Sequence, residues 1–272
     1  MEPPREVVAY YERFAEELRL DRGPFQLEFA RTKDILGRLL PSRPARVVDV
    51  GGAAGAYSAW LADQDHEVHL VDASPRLVEE ARKRNAALPK PIASLAVADA
   101  RSLPQAGKAA DVVLLMGPLY HLPLPADRAA ALDEAARVLV TSGLVVVAAI
   151  SRYASALDGL ARGLAVDQAF VRIRDRDLQD GQHRNDTDRL DYFTTAYFHR
   201  PEDLRQELEG AGFQDVTLFG IEDPGWLVPD FDIRWADPVL RNDIMEVARA
   251  LESEPSILGA SAHLLAVGRK AV

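Results

Sequence analysis

The chain of 272 residues contains no cysteine. That absence removes disulfides, zinc–thiolate sites and thiol nucleophiles together. It also contains no apolar run long enough to span a bilayer, and the opening MEPPREVVAYYERF has no apolar signal core, so a cytoplasmic protein is expected. Basic charge is in deficit: 32 Lys and Arg face 42 Asp and Glu, for a net charge of -10. Such a balance repels a phosphate backbone, and no basic run overrides it, so nucleic acid is not an expected substrate. Histidine is sparse, with six in the chain. Their spacings match no familiar metal site such as H-x-x-x-H, so no metal is expected.

What is present is apolar content of 48%, enough for a substantial core, in a length that suits one α/β domain with insertions. The organising stretch is ARVVDVGGAAGAYSAWLA at 45–62, where Val47, Val48 and Val50 make a short buried strand running into a glycine turn and a helix. Gly51, Gly52 and Gly55 let main chain approach a ligand closely, and the following helix turns its N-terminal N–H groups toward it. A dinucleotide turn wants G-x-G-x-x-G, but counted from Gly51 the third and sixth positions are Ala53 and Ala56, which disfavours close pyrophosphate approach. Asp72 ends the next apolar strand, EVHLVD, about 20 residues on, where a carboxylate can accept hydrogen bonds from both ribose hydroxyls. That spacing suits NAD and S-adenosylmethionine equally, and Asp72 in DAS before PRLVEEA also reads as a helix cap.

Helical spacing predicts amphipathic helices over 5–20 and 25–40. From position 45 strands and helices alternate: 46–50, 56–63, 67–71, 75–86, 94–98, 111–116, 128–140 and 144–151, which argues for a parallel sheet with helices on both faces. The segment 151–199 fits no core element and is too long for an ordinary connection, so it reads as a partly helical lid. A helix at 201–210 and a strand at 216–221 follow. A second insertion at 223–258, with a helix near 239–251, precedes a closing strand at 262–267. The expected organisation is a helical cap at 1–44, a cofactor-binding core at 45–151, a lid at 152–200, and the rest of the core at 201–272. The N-terminal helices and both insertions should converge over one crevice beyond the carboxyl ends of the strands.

VVDVGGAAG, HLVDAS, VADARSLP, ADVVLLMGPLYHL and SGLVVVAAIS resemble, in order, the successive motifs of class I S-adenosylmethionine-dependent methyltransferases over 46–151. HRPEDLRQELEGAGFQDVTLFGIE and AHLLAVGR look like that family's later helix and strand and its reversed last strand. Ala53 and Ala54 stand where that family commonly has glycine and proline. The resemblance implies a doubly wound, mostly parallel seven-stranded sheet with an antiparallel last strand. It implies S-adenosylmethionine as cofactor, S-adenosylhomocysteine as product, and methyl transfer to an oxygen or nitrogen of a small molecule. It places the cofactor against Gly51, Gly52, Ala53, Gly55, Asp72, Ala73, Asp99, Ala100 and Met116; Tyr11 is a further candidate beside it, and Arg31 a candidate partner of its carboxylate whose alternative is a surface arginine.

GPLYH at 117–121 leaves the fourth strand where the transferable methyl is expected. Methyltransferases acting on exocyclic base amines carry Asp or Asn, then Pro-Pro-Tyr, at the corresponding place; here Gly117 replaces the carboxylate or amide, which argues against base methylation. His121 is the candidate general base, because imidazole titrates near neutrality, with Tyr120 and His199 as further candidates. His183 and His263, with Tyr10, Phe14, Tyr197 and Trp226, are expected to wall the substrate pocket. The partner expected is a small molecule; the oligomeric state has no sequence signal. A non-catalytic cofactor-binding or regulatory module, and a dinucleotide-dependent oxidoreductase, are the alternatives.

Overall fold

The computed structural model describes residues 5–271. The first four positions of the expected cap, and Val272, lie outside the described residues. In chain order the elements are α1 (Arg5–Arg13), a 3₁₀ segment (Glu16–Asp21), α2 (Phe25–Leu39), β1 (Arg46–Val50), α3 (Ala56–Asp63), β2 (Glu67–Asp72), α4 (Pro75–Asn85), β3 (Ser94–Val97) and β4 (Ala110–Leu115). There follow α5 (Pro125–Val138), β5 (Leu139–Ser151), α6 (Ala154–Arg162), α7 (Gln168–Asp180), β6 (Gln182–His183), β7 (Ala196–His199) and α8 (Pro201–Gly210). The chain ends with β8 (Phe213–Gly220), α9 (Phe231–Ala236), α10 (Pro238–Leu251) and β9 (His263–Lys270).

β1 pairs in parallel with β2 and β4, β2 with β3, and β4 with β5. β9 lies antiparallel between β5 and β8. The core order is therefore β3-β2-β1-β4-β5-β9-β8, the expected doubly wound, mostly parallel sheet with a reversed last strand. Strand order switches direction between β1 and β4, and a crevice opens beyond their carboxyl ends. The apolar runs of β1, β4 and β5 are buried on both faces, as central parallel strands must be. Val48, Val50, Val113 and Leu115 pack toward α5 and α8, while Val47, Val112 and Leu114 pack toward α2, α3 and α4, following the two-residue period of a strand.

The structure differs from the sequence expectation in two places. The helix expected over 5–20 stops at Arg13, because the Arg76 guanidinium donates to the Tyr11 and Phe14 carbonyls, each at 2.9 Å. Those hydrogen bonds replace the ones a continuing helix would make, and the chain turns into the 3₁₀ segment. The second is β7, inside the stretch assigned to a lid. β5 outruns β4, so its last residues have a free edge; Ile150 and Ser151 pair there with Phe198 and His199, and β6 adds an antiparallel hairpin strand. The 223–258 insertion places α9 and α10 against α2 through Leu27, Phe231 and Ile244.

That insertion opens on Asp223, which sits at φ 47 with both carboxylate oxygens buried and without a hydrogen-bond partner. Burial pushes its carboxyl up to about 7, against an ordinary 3.8. Between these two values the native state holds a proton that the unfolded chain releases, so stability falls as pH rises through that window. Asp223→Asn, which keeps shape and tolerates positive φ, is expected to flatten this slope and to raise the melting temperature at pH 8. Calorimetry of both proteins from pH 5 to 8 checks it; parallel curves would contradict the assignment.

Candidate active site

The glycine turn forms the floor of the crevice. Gly51 has φ 74, and a Cβ there would stand 2.5 Å from Pro118 Cδ; at Gly52 it would stand 2.8 Å from Leu70 Cγ. Glycine at both places keeps the turn low and its backbone open to a ligand. Ala53 also has positive φ, at 48. Its N–H donates to Asp72 Oδ2 at 2.9 Å, while the Ser74 N–H donates to Oδ1 at 2.8 Å. Asp72 therefore ties the end of β2 to the glycine turn, and Ser74, not Asp72, caps α4 by accepting from the Leu77 N–H. Burial raises the Asp72 carboxyl to about 6. Beneath the turn, burial raises Asp49 to about 6 as well. Its Oδ2 accepts from Ser58 at 2.6 Å and its Oδ1 has no partner.

Asp99 follows β3. Burial opposes its ionisation, but hydrogen bonds from Arg101 hold it below the usual carboxylate range. The guanidinium donates Nε to Oδ1 at 2.9 Å and Nη2 to Oδ2 at 2.7 Å.

His121 ends the 3₁₀ turn that leaves β4. Its Nδ1 lies 3.3 Å from the Thr195 carbonyl and its Nε2 lies 2.8 Å from the Tyr11 hydroxyl. A carbonyl only accepts, so Nδ1 carries the proton, Nε2 presents a lone pair, and the Tyr11 hydroxyl donates to it. Burial lowers His121 to about 4, so the imidazole is neutral at pH 7. Tyr11, Tyr120 and Phe193 surround the ring at centroid distances of 5.4, 4.8 and 5.5 Å. A Cβ at Gly117 would lie 3.4 Å from the Tyr120 hydroxyl, so the missing side chain leaves room for that phenol.

Of the residues expected from sequence, Tyr11, Gly51, Gly52, Ala53, Asp72, Ala73, Asp99, Ala100, Met116, Tyr120 and His121 line this crevice together. The others do not. Gly55, at φ 78, is the turn residue that starts α3. Arg31 is fully buried in ion pairs with Asp34 and with Glu252 (2.5 Å), and its Nε donates to the Ile221 carbonyl, so it joins α2 to the second insertion. His199 is buried against Glu207 at 3.2 Å, and Tyr197 lies under the Arg128 guanidinium at 3.8 Å. His183 uses one nitrogen on Asp177 and the other on the Tyr192 carbonyl, with its ring stacked on Phe198. The Trp226 indole donates to the Ala260 carbonyl. Tyr10 and Phe14 stack on each other at 5.0 Å, behind Tyr11.

His263 is likewise an internal ion-pair partner. Burial opposes its charge, but Glu222 at 2.6 Å and Glu28 at 3.9 Å outweigh that and raise it to about 9, so it is an imidazolium at neutral pH. Glu28, Glu222 and His263 form a tight group. Arg19 occupies both Glu28 oxygens, at 2.5 and 3.0 Å, so the three residues sit in an internal ion-pair network.

The crevice cover differs from expectation too. No lining residue comes from 152–200 or 223–258; Val7, Val8, Tyr11, Glu16, Arg19 and Leu20 close the crevice from the N-terminal segment. The insertions buttress that segment instead, the Thr194 hydroxyl donating to the Glu6 carbonyl at 3.2 Å. Sequence reasoning missed Glu16 and Arg19, whose three-residue spacing on the continuous helix expected there was the available signal, and Tyr57 on the first turn of α3. Arg19 donates to Glu16 at 2.8 Å.

Residues 47–143 match the family model described as a methyltransferase domain. That span carries the glycine turn, Asp72, Asp99 and GPLYH. No curated protein matches the chain by sequence. Among solved structures, one similar fold is an S-adenosylmethionine-dependent methyltransferase of Thermotoga maritima, described as a possible histamine N-methyltransferase. It is 20% identical, with a TM-score of 0.55 over 96% of this chain and 99% of that one. An S-adenosylmethionine-dependent methyltransferase of Mesorhizobium loti is 20% identical, with a TM-score of 0.59 over 90% and 100%. Magnesium protoporphyrin IX methyltransferase of Synechocystis, solved with bound S-adenosylhomocysteine, is 14% identical, with a TM-score of 0.54 over 91% and 84%. At these identities the likeness establishes the fold, and the matched model marks 47–143 as a methyltransferase domain. The fold, and the domain matched over 47–143, are those of S-adenosylmethionine-dependent methyltransferases, whose cofactor is S-adenosylmethionine.

Proposed function

We propose that the protein methylates an oxygen or nitrogen of a small polar acceptor, with His121 as the base that receives the acceptor's proton. The observation that carries this reading is a neutral imidazole just beyond β4, whose Nε2 accepts from the crevice-lining Tyr11 hydroxyl at 2.8 Å and whose other nitrogen is held by the Thr195 carbonyl. Gly117 offers no carboxylate or amide to a planar base amine, and the chain's net charge of -10 does not favour a nucleic-acid acceptor. No helix among the described residues is long and apolar enough to cross a membrane.

The residues present fit the cofactor. Asp49 Oδ1, buried without a partner under the glycine turn, suits the ammonium of an amino-acid end, and Tyr57 lines the crevice wall beside the turn. Gly51 and Gly52 admit it to the backbone, Asp72 with Ala73 would take the ribose hydroxyls, and Asp99 with Ala100 would meet the adenine. S-adenosylmethionine, when bound, supplies a methyl carbon made electrophilic by its sulfonium. The chain's own part is to align the acceptor, to exclude water under the N-terminal segment, and to accept one proton.

Two measurements test the reading. Calorimetry is expected to show S-adenosylhomocysteine binding, weakened by about 1–3 kcal/mol in Asp72→Ala because charge-assisted hydrogen bonds to the ribose are lost. Incubation with S-adenosylmethionine and a panel of small alcohols, phenols and amines is expected to yield methylated product. Tight binding with no transfer to any member would favour the non-catalytic module.

A further inference from the structure

We propose that Tyr11 is the catalytic group that meets the acceptor, and that it passes the acceptor's proton on to His121. This inference rests on the methyl-transfer reading above and changes which side chain performs the chemistry. Both nitrogens of His121 are engaged, Nδ1 with the Thr195 carbonyl and Nε2 with the Tyr11 hydroxyl at 2.8 Å. An acceptor therefore reaches the imidazole only through that hydroxyl or by displacing it. Tyr11 itself lines the crevice. Its hydrogen is committed to Nε2, which leaves its oxygen lone pairs free to accept a hydrogen bond from an acceptor O–H or N–H.

The phenol is fixed in place from three sides. Tyr10 packs edge-on against its ring at 5.2 Å, His121 does so at 5.4 Å, and the Tyr11 carbonyl accepts from Arg76 Nε at 2.9 Å. The Thr195 carbonyl belongs to the segment leading into β7, which the Thr194 hydroxyl ties to α1. The dyad is thus assembled by the docking of α1 against that segment, the same docking that covers the crevice.

The step balances as two linked proton transfers. The acceptor's X–H bond breaks and its proton goes to the Tyr11 oxygen, while the original Tyr11 proton goes to Nε2. The electron pair left on X forms the bond to the methyl carbon, and the pair of the carbon–sulfur bond stays on sulfur. Tyr11 is a neutral phenol before and after, as its burial requires, since burial raises it well above the ordinary phenol range. His121 becomes an imidazolium steadied by its Nδ1–H on Thr195, and its low basicity returns the proton to solvent once the product leaves.

The test compares wild type, Tyr11→Phe, His121→Ala and the double variant, using S-adenosylmethionine and an alcohol or amine that the panel shows to be methylated. Single-turnover rates are measured across pH, with S-adenosylhomocysteine affinity and imidazole ¹⁵N spectra beside them. Tyr11→Phe is expected to slow transfer about 10²-fold or more, with S-adenosylhomocysteine affinity unchanged. The double variant should be no slower than His121→Ala, because the two residues act as one unit. The spectra should show the proton on Nδ1, and Tyr11→Phe should move Nε2 toward the position of an unbonded ring nitrogen. Wild-type rate and pH profile in Tyr11→Phe, with a slow His121→Ala, would overturn the relay and leave His121 acting directly. An Nε2 resonance indifferent to Tyr11→Phe would overturn it without any turnover measurement. Absence of transfer by wild type across the whole panel would instead bring down the methyl-transfer reading, and the relay with it.

Discussion

His121→Ala is expected to lower the single-turnover rate of methyl transfer by about 10²–10⁴-fold, the range typical for loss of a positioned base. S-adenosylhomocysteine affinity should be kept, because the imidazole hydrogen-bonds Tyr11 and the Thr195 carbonyl, not the glycine turn or Asp72. The pH profile adds a second, signed expectation. An ordinary histidine is protonated, and so lost as a base, below about 6.5; burial lowers His121 to about 4, so the loss of rate that it causes should appear near that lower value. The same shift bears on folding with the opposite sense from a paired histidine. Between 6.5 and about 4 the unfolded chain binds a proton that the native state refuses, so His121 costs stability as pH falls through that window. Single-turnover measurements on wild type, His121→Ala and His121→Gln, each with its melting temperature, check both statements. A wild-type rate in His121→Ala would move the base elsewhere in the crevice.

Arg31→Ala is expected to destabilise the fold by about 3–5 kcal/mol, the usual cost of removing one partner from a buried ion pair. Arg31 is fully buried and holds Asp34 and Glu252 at once. Arg38 and Arg249 would still reach those carboxylates from outside, which keeps the loss from being larger. The buried Asp223 carboxyl, whose burial Arg31 partly offsets, would lose its compensating charge. S-adenosylhomocysteine affinity of the folded protein should stay within about twofold, because Arg31 does not line the crevice. Denaturant unfolding paired with calorimetry decides the matter: a stable Arg31→Ala protein that has lost cofactor affinity would restore the carboxylate-binding role expected from sequence.

By itself the sequence determined the sheet, the crevice and its floor. Its central strands β1, β4 and β5 are apolar runs buried on both faces, legible from the residue pattern, and Gly51, Asp72, Asp99 and GPLYH sit where local backbone places them, at strand ends whose order follows from the strand–helix alternation. The tertiary structure alone decided the residues that act across the chain. Arg31, His183, His199 and His263 look functional in a list, but an ionisable group becomes structural when distant segments bring it a counter-charge or a carbonyl, as Glu252, Asp177, Glu207 and Glu222 do here. The end of α1 was decided in the same way, by the Arg76 guanidinium taking carbonyls that local propensity would have left inside a helix. So was the pairing of Tyr11 with His121, 110 residues apart, because a hydrogen bond between such positions exists only once α1 and β4 have been brought to the same crevice.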